Sequence, residues 1–407
     1  MINGAKTEKI PVFFKKIVLF AIGQLICFFL YPVFWLMRIR FIPVNYAYIG
    51  HLAIELDCYV KEGILGLHPS YKTIILIDRS NVANPHLVSY WKKYVTVIDN
   101  RIIYSLLWAP LRRNRLLGYD IGNYLHVGEH MVGNFMRPRY PEIQKQYYGR
   151  PPVLSLTGFD QKRGWTALNN IGVPEDAWFI CVHCRERGYG YSRGRDAITI
   201  RDADVNNYLL AIQEIVNRGG WVIRVGDPTM KRIPRMKNVI DYAHLDIKSD
   251  WMDVFLCASC KFFLGSNSGL EDLSSVFGVK RAIANIAGPV SAVLPYGVQD
   301  IGIPKLIRSV KEDRLLTFKE IFSSPIADFP FDHLFAANDI EAIENSSEDI
   351  RDIATEMMDR LDGKLEYSEE DERLQERFKS FMRPSHYSYG AISRVGSKFL
   401  KKYEYLL

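Results

Sequence analysis

What most limits the folds open to this chain is a recurring alternation. Short uncharged runs of strand length are each followed by a segment with helical spacing. Lys72 to Asp78 (KTIILID) and Tyr94 to Asp99 (YVTVID) are β-branched runs of this kind. A second series begins after the Pro- and acid-punctuated stretch Gly172 to Asp176. Its strands are AWFICVHCRE, WVIRVGDP, NVIDYA and CKFFLGS, and its helices are Asp202 to Gly220, closed by a glycine pair, then SDWMDVFLCAS, then one starting near Gly269. Strands that are apolar on both faces and separated by helices belong to a parallel sheet covered on both sides. The order β-α-β-β-α-β-α is that of a Rossmann-like domain.

A length of 407 residues is too great for one ordinary core, so the fold class expected is α/β with two Rossmann-like domains and terminal additions. The boundaries expected are a membrane-associated segment at 1–44, a first α/β domain at 45–165, a second at 166–330 and a helical region at 331–407. In the first domain, NYAYIGHLAIELDCYVKEGI reads as a short strand, a Gly50–His51 turn and an amphipathic helix through Leu52 and Val60. In the last region, EDIRDIATEMMDRL and EEDERLQERFKSFM are helical by spacing and charge. No repeat of solenoid period and no low-complexity segment is present.

Ile17 to Met37 carries no charge and is just long enough to cross a bilayer, with Lys15 and Lys16 before it and Arg38 and Arg40 after it. It lacks the small-residue pattern of a signal-peptide cleavage site, so it is expected to be retained. Gln24 and Pro32 weaken it as a straight span and leave an interfacial or kinked helix open. The lysines at 6, 9, 15 and 16 would hold the N-terminus in the cytoplasm, and a true span would then export everything that follows.

The remaining composition excludes more than it selects. A net charge of +6, from 52 basic and 46 acidic residues, is too mild to call for nucleic acid. The imbalance is local: Arg101, Arg112, Arg113, Arg115, Arg137 and Arg139 share one stretch, and Glu341 to Glu376 is acidic. The two C-x-x-C pairs, Cys181/Cys184 and Cys257/Cys260, lie in apolar runs and read as small hydrophobes rather than zinc ligands. Without a disulfide framework, a reducing compartment is expected.

In a doubly wound sheet, ligands collect beyond the carboxyl ends of the strands, where strand order reverses. His183 and Arg185 end one strand, Arg224, Gly226 and Asp227 end a second, and Ser266, Asn267, Ser268 and Gly269 end a third. Ser268 followed by Glu271 has the spacing of a capping box, which places a helix start and its backbone donors at Gly269. Arginines beside such a start make an anion site suited to a sugar-nucleotide diphosphate. No Mg²⁺ site of the Asp-x-Asp type is evident and no G-x-G-x-x-G or P-loop sequence is present, so neither a metal nor any other cofactor is expected. His51, with Glu55 one helical turn on, is the candidate general base.

The stretch from Gly172 to Lys305 resembles a family of bacterial glycosyltransferases encoded with surface-polysaccharide genes. The likeness is carried by HCR at His183 to Arg185, RDADVNNYLLAI, RVG at Arg224 to Gly226, DYA at Asp241 to Ala243, and FFLGSNSGL. IGHLAIE and IGIPKL, the latter at Ile301 to Leu306, extend it over most of the chain. The His-x-Arg element is also similar to that of fucosyltransferases, whose arginine binds the donor diphosphate, which by resemblance points to Arg185. Those enzymes carry an Asp downstream where this chain has Gly188, so no donor nucleotide carries over. The resemblance implies a GT-B fold with the donor in the C-terminal domain and a glycan or lipid-linked acceptor in the N-terminal one. Activated sugars are cytosolic in bacteria, so catalytic domains on the cytoplasmic side of the membrane are expected. The alternatives are a sugar-nucleotide epimerase of the same fold, which needs no acceptor and no membrane segment, and a non-catalytic scaffold for polysaccharide assembly.

Overall fold

The computed structural model describes residues 10–114, 116–119, 124–127, 130–133, 139–186, 199–287, 294–329, 331–386 and 388–407. Arg115, Arg137 and Gly188 lie outside them. The chain divides into two compact units, Met1–Asn123 and Tyr124–Leu407.

The first unit starts with α1 (Ile10–Leu36), which contains Pro32. Then follow β1 (Ile39–Phe41), α2 (Ile49–Ile64), β2 (Lys72–Ile77), α3 (Pro85–Trp91), β3 (Thr96–Asp99) and α4 (Arg101–Arg113). The three strands form a parallel sheet in the order β1-β2-β3, with Phe41 opposite Ile74 and Ile74 opposite Thr96. The strand before α2 is therefore Ile39–Phe41 and not the expected Asn45 to Tyr48, which is irregular. Gly50 and His51 form no turn. They lie in the first turn of α2, whose face carrying Leu52, Leu56 and Val60 is buried. The helix starts of α3 and α4 are held by side chains: Asn84 Oδ1 accepts from Leu87 N at 2.7 Å, and Asn100 Oδ1 from Ile102 N and Ile103 N at 3.0 Å each.

The second unit opens with a hairpin of β4 (Tyr124–Val127) and β5 (His130–Gly133), then α5 (Tyr140–Tyr147) and α6 (Gly158–Asn170). The expected seam at residue 165 falls within α6, whose Trp165 packs edge-on against Phe179 and Phe255 of this unit. Next come β6 (Phe179–His183), α7 (Leu209–Asn217), β7 (Trp221–Arg224), β8 (Val239–Ile240), α8 (Asp250–Ser259), β9 (Phe262–Gly265), α9 (Gly269–Val276), β10 (Lys280–Ile286) and β11 (Ile301–Pro304). The chain ends with β12 (Leu306–Ser309), β13 (Arg314–Leu315), α10 (Phe318–Ser323), α11 (Asp332–Ala337), β14 (Ile340–Ile343), α12 (Ser347–Leu361), α13 (Glu369–Ser380), β15 (Arg394–Val395) and α14 (Ser397–Lys402).

Seven of these strands form one parallel sheet in the order β15-β11-β10-β9-β6-β7-β8. The chain builds outward from β6 through β7 to β8, then returns to the other side of β6 with β9 and builds outward again. The order therefore reverses between β6 and β9. The 331–407 region contributes to this sheet as well as covering it: β15 is its edge strand, and α12 packs on α7, β10 and β11. α12 and α13 begin in capping boxes, Ser346 with Asp349 and Ser368 with Asp371. A smaller antiparallel sheet, β13-β12-β14, lies beside the large one in sequence.

The described cysteines are all buried thiols. Cys181 Sγ lies 3.4 Å from Leu256 O, and burial raises its pKa well above the usual thiol range.

One buried ionic cluster ties three elements of the sheet together. Arg281, on β10, donates from Nη1 to Glu271 Oε2 at 2.5 Å and from Nε and Nη2 to Asp300 Oδ2 at 2.9 and 2.6 Å. Asp300 also accepts from the backbone N–H of Arg281 at 2.9 Å and of Gly297 at 2.8 Å. Burial opposes the charge on Arg281, but Asp300 and Glu271 hold its pKa above the ordinary value. Removing one member of such a cluster strands the others without partners in a dry environment. Arg281→Ala is expected to lower unfolding stability by about 3–5 kcal/mol in urea titrations, and a loss below about 1 kcal/mol would show that the cluster carries little weight.

Candidate active site

The reversal point between β6 and β9 is bounded by two strand ends in register, His183 opposite Gly265. Their approach is close, because a Cβ on Gly265 would fall 2.1 Å from His183 O. Beyond the ladder, Ser266 N donates to His183 O at 3.0 Å, and the buried Ser266 Oγ accepts from Arg185 N at 2.9 Å. The turn after β9 is thus fastened to the end of β6 and the segment after it by both the backbone and the side chain of Ser266.

α9 begins at Gly269, as the spacing predicts, with Ser268 extended at the N-cap. The capping box does not form. Ser268 makes no side-chain cap bond, and Glu271 turns to Arg281 instead, a partner of full opposite charge held in the next strand. Among the described residues, Asn267 Oδ1 and Ser268 Oγ are buried and accept no hydrogen bond. Polar atoms so placed at a helix start, beside unsatisfied backbone donors, are the local chemistry of an anion or hydroxyl site.

One cationic side chain binds this turn, and two more meet the neighbouring Asp202. Arg185 Nε lies 3.3 Å from Asp202 Oδ1, Lys305 Nζ donates to Asp202 O at 2.7 Å, and Arg201 Nη2 donates to Asn267 O at 3.0 Å. Lys305 directly follows β11 and is only 5% exposed; its burial lowers its pKa, against the opposing pull of Glu344, Asp202 and Asp332. Arg201, Asp202 and Lys305 were not among the residues expected from the sequence, although RDAD and IGIPKL contain them.

His183 and Arg224 occupy their expected strand ends but present different chemistry from that expected of an anion site. His183 Nδ1 lies 3.0 Å from the carbonyl oxygen of Val225, which can only accept, so Nδ1 carries the proton and Nε2 the lone pair. Burial pushes its pKa down to about 4, outweighing the backbone bond, and near neutrality it is an acceptor rather than a cation. Arg224 is fully buried; its guanidinium donates to Glu186 Oε1 at 2.6 Å and Asp241 Oδ1 at 2.9 Å. It faces two carboxylates rather than an open crevice. Gly226 has φ +149°, and a Cβ there would fall 2.1 Å from Met230 Sδ and 3.2 Å from His183 Nδ1. Asp227 Oδ1 accepts from Thr229 N at 2.8 Å and closes the turn after β7.

His51 and Glu55 belong to the first unit, on α2. Glu55 is 1% exposed; its Oε1 lies 2.7 Å from His51 Nδ1 and its Oε2 accepts from Asn45 N at 3.0 Å. A buried carboxylate against Nδ1 fixes the tautomer with the lone pair on Nε2 and stabilises the ring if it takes a second proton. The ring also stands edge-on to Tyr48, centroids 5.6 Å apart.

No family model matches the chain, and no curated protein does. Among solved structures it is similar to a glycosyl transferase family 9 protein from Veillonella parvula, at 10% identity and TM-score 0.39, over 64% of this chain and 83% of that one. It is similar to ADP-heptose lps heptosyltransferase II of E. coli at 13% identity and TM-score 0.38, over 62% and 85%. The heptosyltransferase WaaC of E. coli, solved with ADP, gives 11% identity and TM-score 0.35, over 66% and 91%. Likenesses at this level carry no argument about function, which rests on the geometry of the site.

The His183 geometry sets a pH dependence. Its folded pKa of about 4 lies below the ordinary 6.5, so between those values the unfolded chain binds the extra proton and stability falls as pH falls. The contribution is complete above about 6.5 and is lost progressively towards 4, at about 1.4 kcal/mol per pH unit. His183→Asn should flatten the acid limb of stability in urea titrations from pH 7 to 4 by that amount, whereas an unchanged slope would place the ring in solvent.

Proposed function

We propose that the chain is a glycosyltransferase of the GT-B type that moves a sugar from a nucleotide-sugar donor to a glycan or lipid-linked acceptor in cell-surface polysaccharide biosynthesis. The observation that carries this reading is the grouping of Arg185 and Lys305 on Asp202, next to Arg201, which binds the α9 turn at the sheet's reversal point. Asp202 is shared between Arg185 and Lys305, and Glu344 and Asp332 also act on Lys305. Arginine and lysine donors so placed suit a diphosphate, which gains charge when the bond to the sugar breaks. Because arginine, lysine and helix donors balance it, the transfer is metal-independent. Ser266 and Gly269 shape the turn, and Asn267 and Ser268 contribute the acceptors for donor hydroxyls. His183 Nε2 accepts from another hydroxyl rather than from phosphate. Arg224, Gly226, Asp227 and Glu271 position these groups without touching the phosphates.

In the reaction, an acceptor hydroxyl attacks the anomeric carbon, the new C–O bond forms, and the bond to the diphosphate breaks with its electron pair leaving on phosphate oxygen. The hydroxyl proton goes to Nε2 of His51, with Glu55 holding the ring and balancing the imidazolium. The first unit thus serves the acceptor and the second the donor. α1 associates the protein with the membrane, and both units remain on the cytoplasmic side, where activated sugars are found.

Donor class and site are tested together by thermal shift of the purified protein with UDP-, GDP-, CMP-, ADP- and dTDP-sugars. One nucleotide is expected to stabilise the protein in the presence of EDTA, and Arg185→Ala or Lys305→Ala to abolish the shift. Stabilisation that survives both substitutions would remove the diphosphate from this turn.

The roles given to His51 and Glu55 are separable from binding. His51→Gln and Glu55→Gln are each expected to lower kcat by about 10²–10⁴-fold while leaving the donor-induced thermal shift intact. Unchanged turnover in His51→Gln would require a different base.

A further inference from the structure

α1 is long and apolar enough to cross a membrane, with Phe14–Leu36 as the candidate span. Its packing argues for a different placement. Gly23 and Cys27 are buried, and Leu19, Phe20, Ile26, Tyr31 and Phe34 are half-buried, a narrow stripe at helical spacing. Gly23 meets α4 so closely that a Cβ would fall 2.0 Å from Leu106 O and 2.7 Å from Pro110 Cγ. Pro110 has no N–H to offer Leu106 O, its i−4 carbonyl, so this close approach buries a carbonyl already released from the α4 ladder. Further along, Cys27, Tyr31 and Phe34 join a cluster with Phe41, Leu76 and Leu111, which is the core between α4 and the sheet.

From Leu19 to Phe34, about 24 Å of helix is therefore attached to the first unit. Among the described residues, Ile10–Val18 precedes it, about 13 Å of helix, which is less than half of the ~30 Å hydrocarbon layer. A perpendicular span would draw α4, with its exposed Arg101 and Arg112, into lipid. The face of α1 opposite the stripe is apolar: Phe14, Leu25, Phe28, Phe29, Trp35 and Leu36 are 60 to 77% exposed. Exposed basic residues stand at both ends, Lys15 and Lys16 at one and Arg38 at the other.

We infer that α1 lies in the plane of one leaflet of an anionic bilayer, immersing this apolar face to the acyl boundary with both basic ends at the headgroups of that leaflet. This rests on the membrane association proposed above and specifies its mode: the helix does not cross, and both chain termini stay on the same side. Placing both ends on one side removes the conflict between the N-terminal lysines and a cytoplasmic location of the two units.

The test uses the full chain with a protease-cleavable tag at each terminus, bound to sealed vesicles of phosphatidylglycerol and phosphatidylethanolamine. External protease is expected to remove both tags without detergent. Protection of the N-terminal tag while the C-terminal one is cleaved would overturn the proposal. Depth gives a second readout through bimane on Phe28→Cys or Leu36→Cys, feasible because the native cysteines are buried. Lipids brominated near the headgroup should quench both labels equally, whereas deep quenching confined to Phe28→Cys would show a span. Binding to phosphatidylcholine vesicles should be at least ~10-fold weaker, and equal binding would overturn the role of the basic ends. Failure to float with any vesicle would refute membrane association itself, while the nucleotide-sugar thermal shift would still decide the transferase reading independently.

Discussion

The candidate site depends on a guanidinium that never reaches it. Arg281 lies in β10 and takes Glu271 from α9 on one side and Asp300, just before β11, on the other. The start of α9 can present its backbone donors at a defined place only because the helix cannot slide along or rotate on the sheet without separating these charges. A capping box would have fixed the helix to its own N-cap alone. The ion cluster fixes it to two neighbouring strands, and it leaves Ser268 Oγ uncommitted among the described residues. Specificity of position is the best-attested use of buried charge, since net stabilisation over a hydrophobic equivalent is often absent.

The same economy runs through the second unit. Ser266 Oγ binds the backbone of Arg185, Asp202 takes the Arg185 side chain, and the carbonyl of Asp202 takes Lys305. Residues from β6, β9, β11 and the segment before α7 thereby reach a single turn through short links. Asn285 and Asn345 bind each other's backbone N–H groups at 2.6 and 2.7 Å, closing β10 against the start of α12 from beneath.

How much of this was legible in the sequence follows from how local each determinant is. The strands of the second unit could be read because apolar runs of strand length and their turn residues are short-range signals, and the helix start at Gly269 for the same reason. The role of Glu271 could not, because its partner is ten residues on in another strand and no local rule weighs a cap against an ion pair not yet in view. Arg224 likewise reads as a strand-end cation until Glu186 and Asp241 are brought to it by the fold. His51 was placed in a turn because Gly50 precedes it, yet glycine is tolerated in a first helical turn where the backbone donors have no partners to lose. In the sequence Arg201 and Lys305 each look like an ordinary surface cation, and only the tertiary bonds of Arg201 to Asn267 O and of Lys305 to Asp202 O bring them together.

The contact between α1 and α4 is specified by atoms that are missing. Proline withholds an N–H at position 110 and glycine withholds a Cβ at position 23, and the two helices meet across the gap these omissions create. Tolerance to change is therefore unequal on the two sides. An alanine at Pro110 returns a donor to its own helix and removes only the ring's contact with α1, whereas any side chain at Gly23 meets a backbone carbonyl of α4. Along the stripe that holds α1 to its domain, the closest approach falls at the one residue that has no larger substitute.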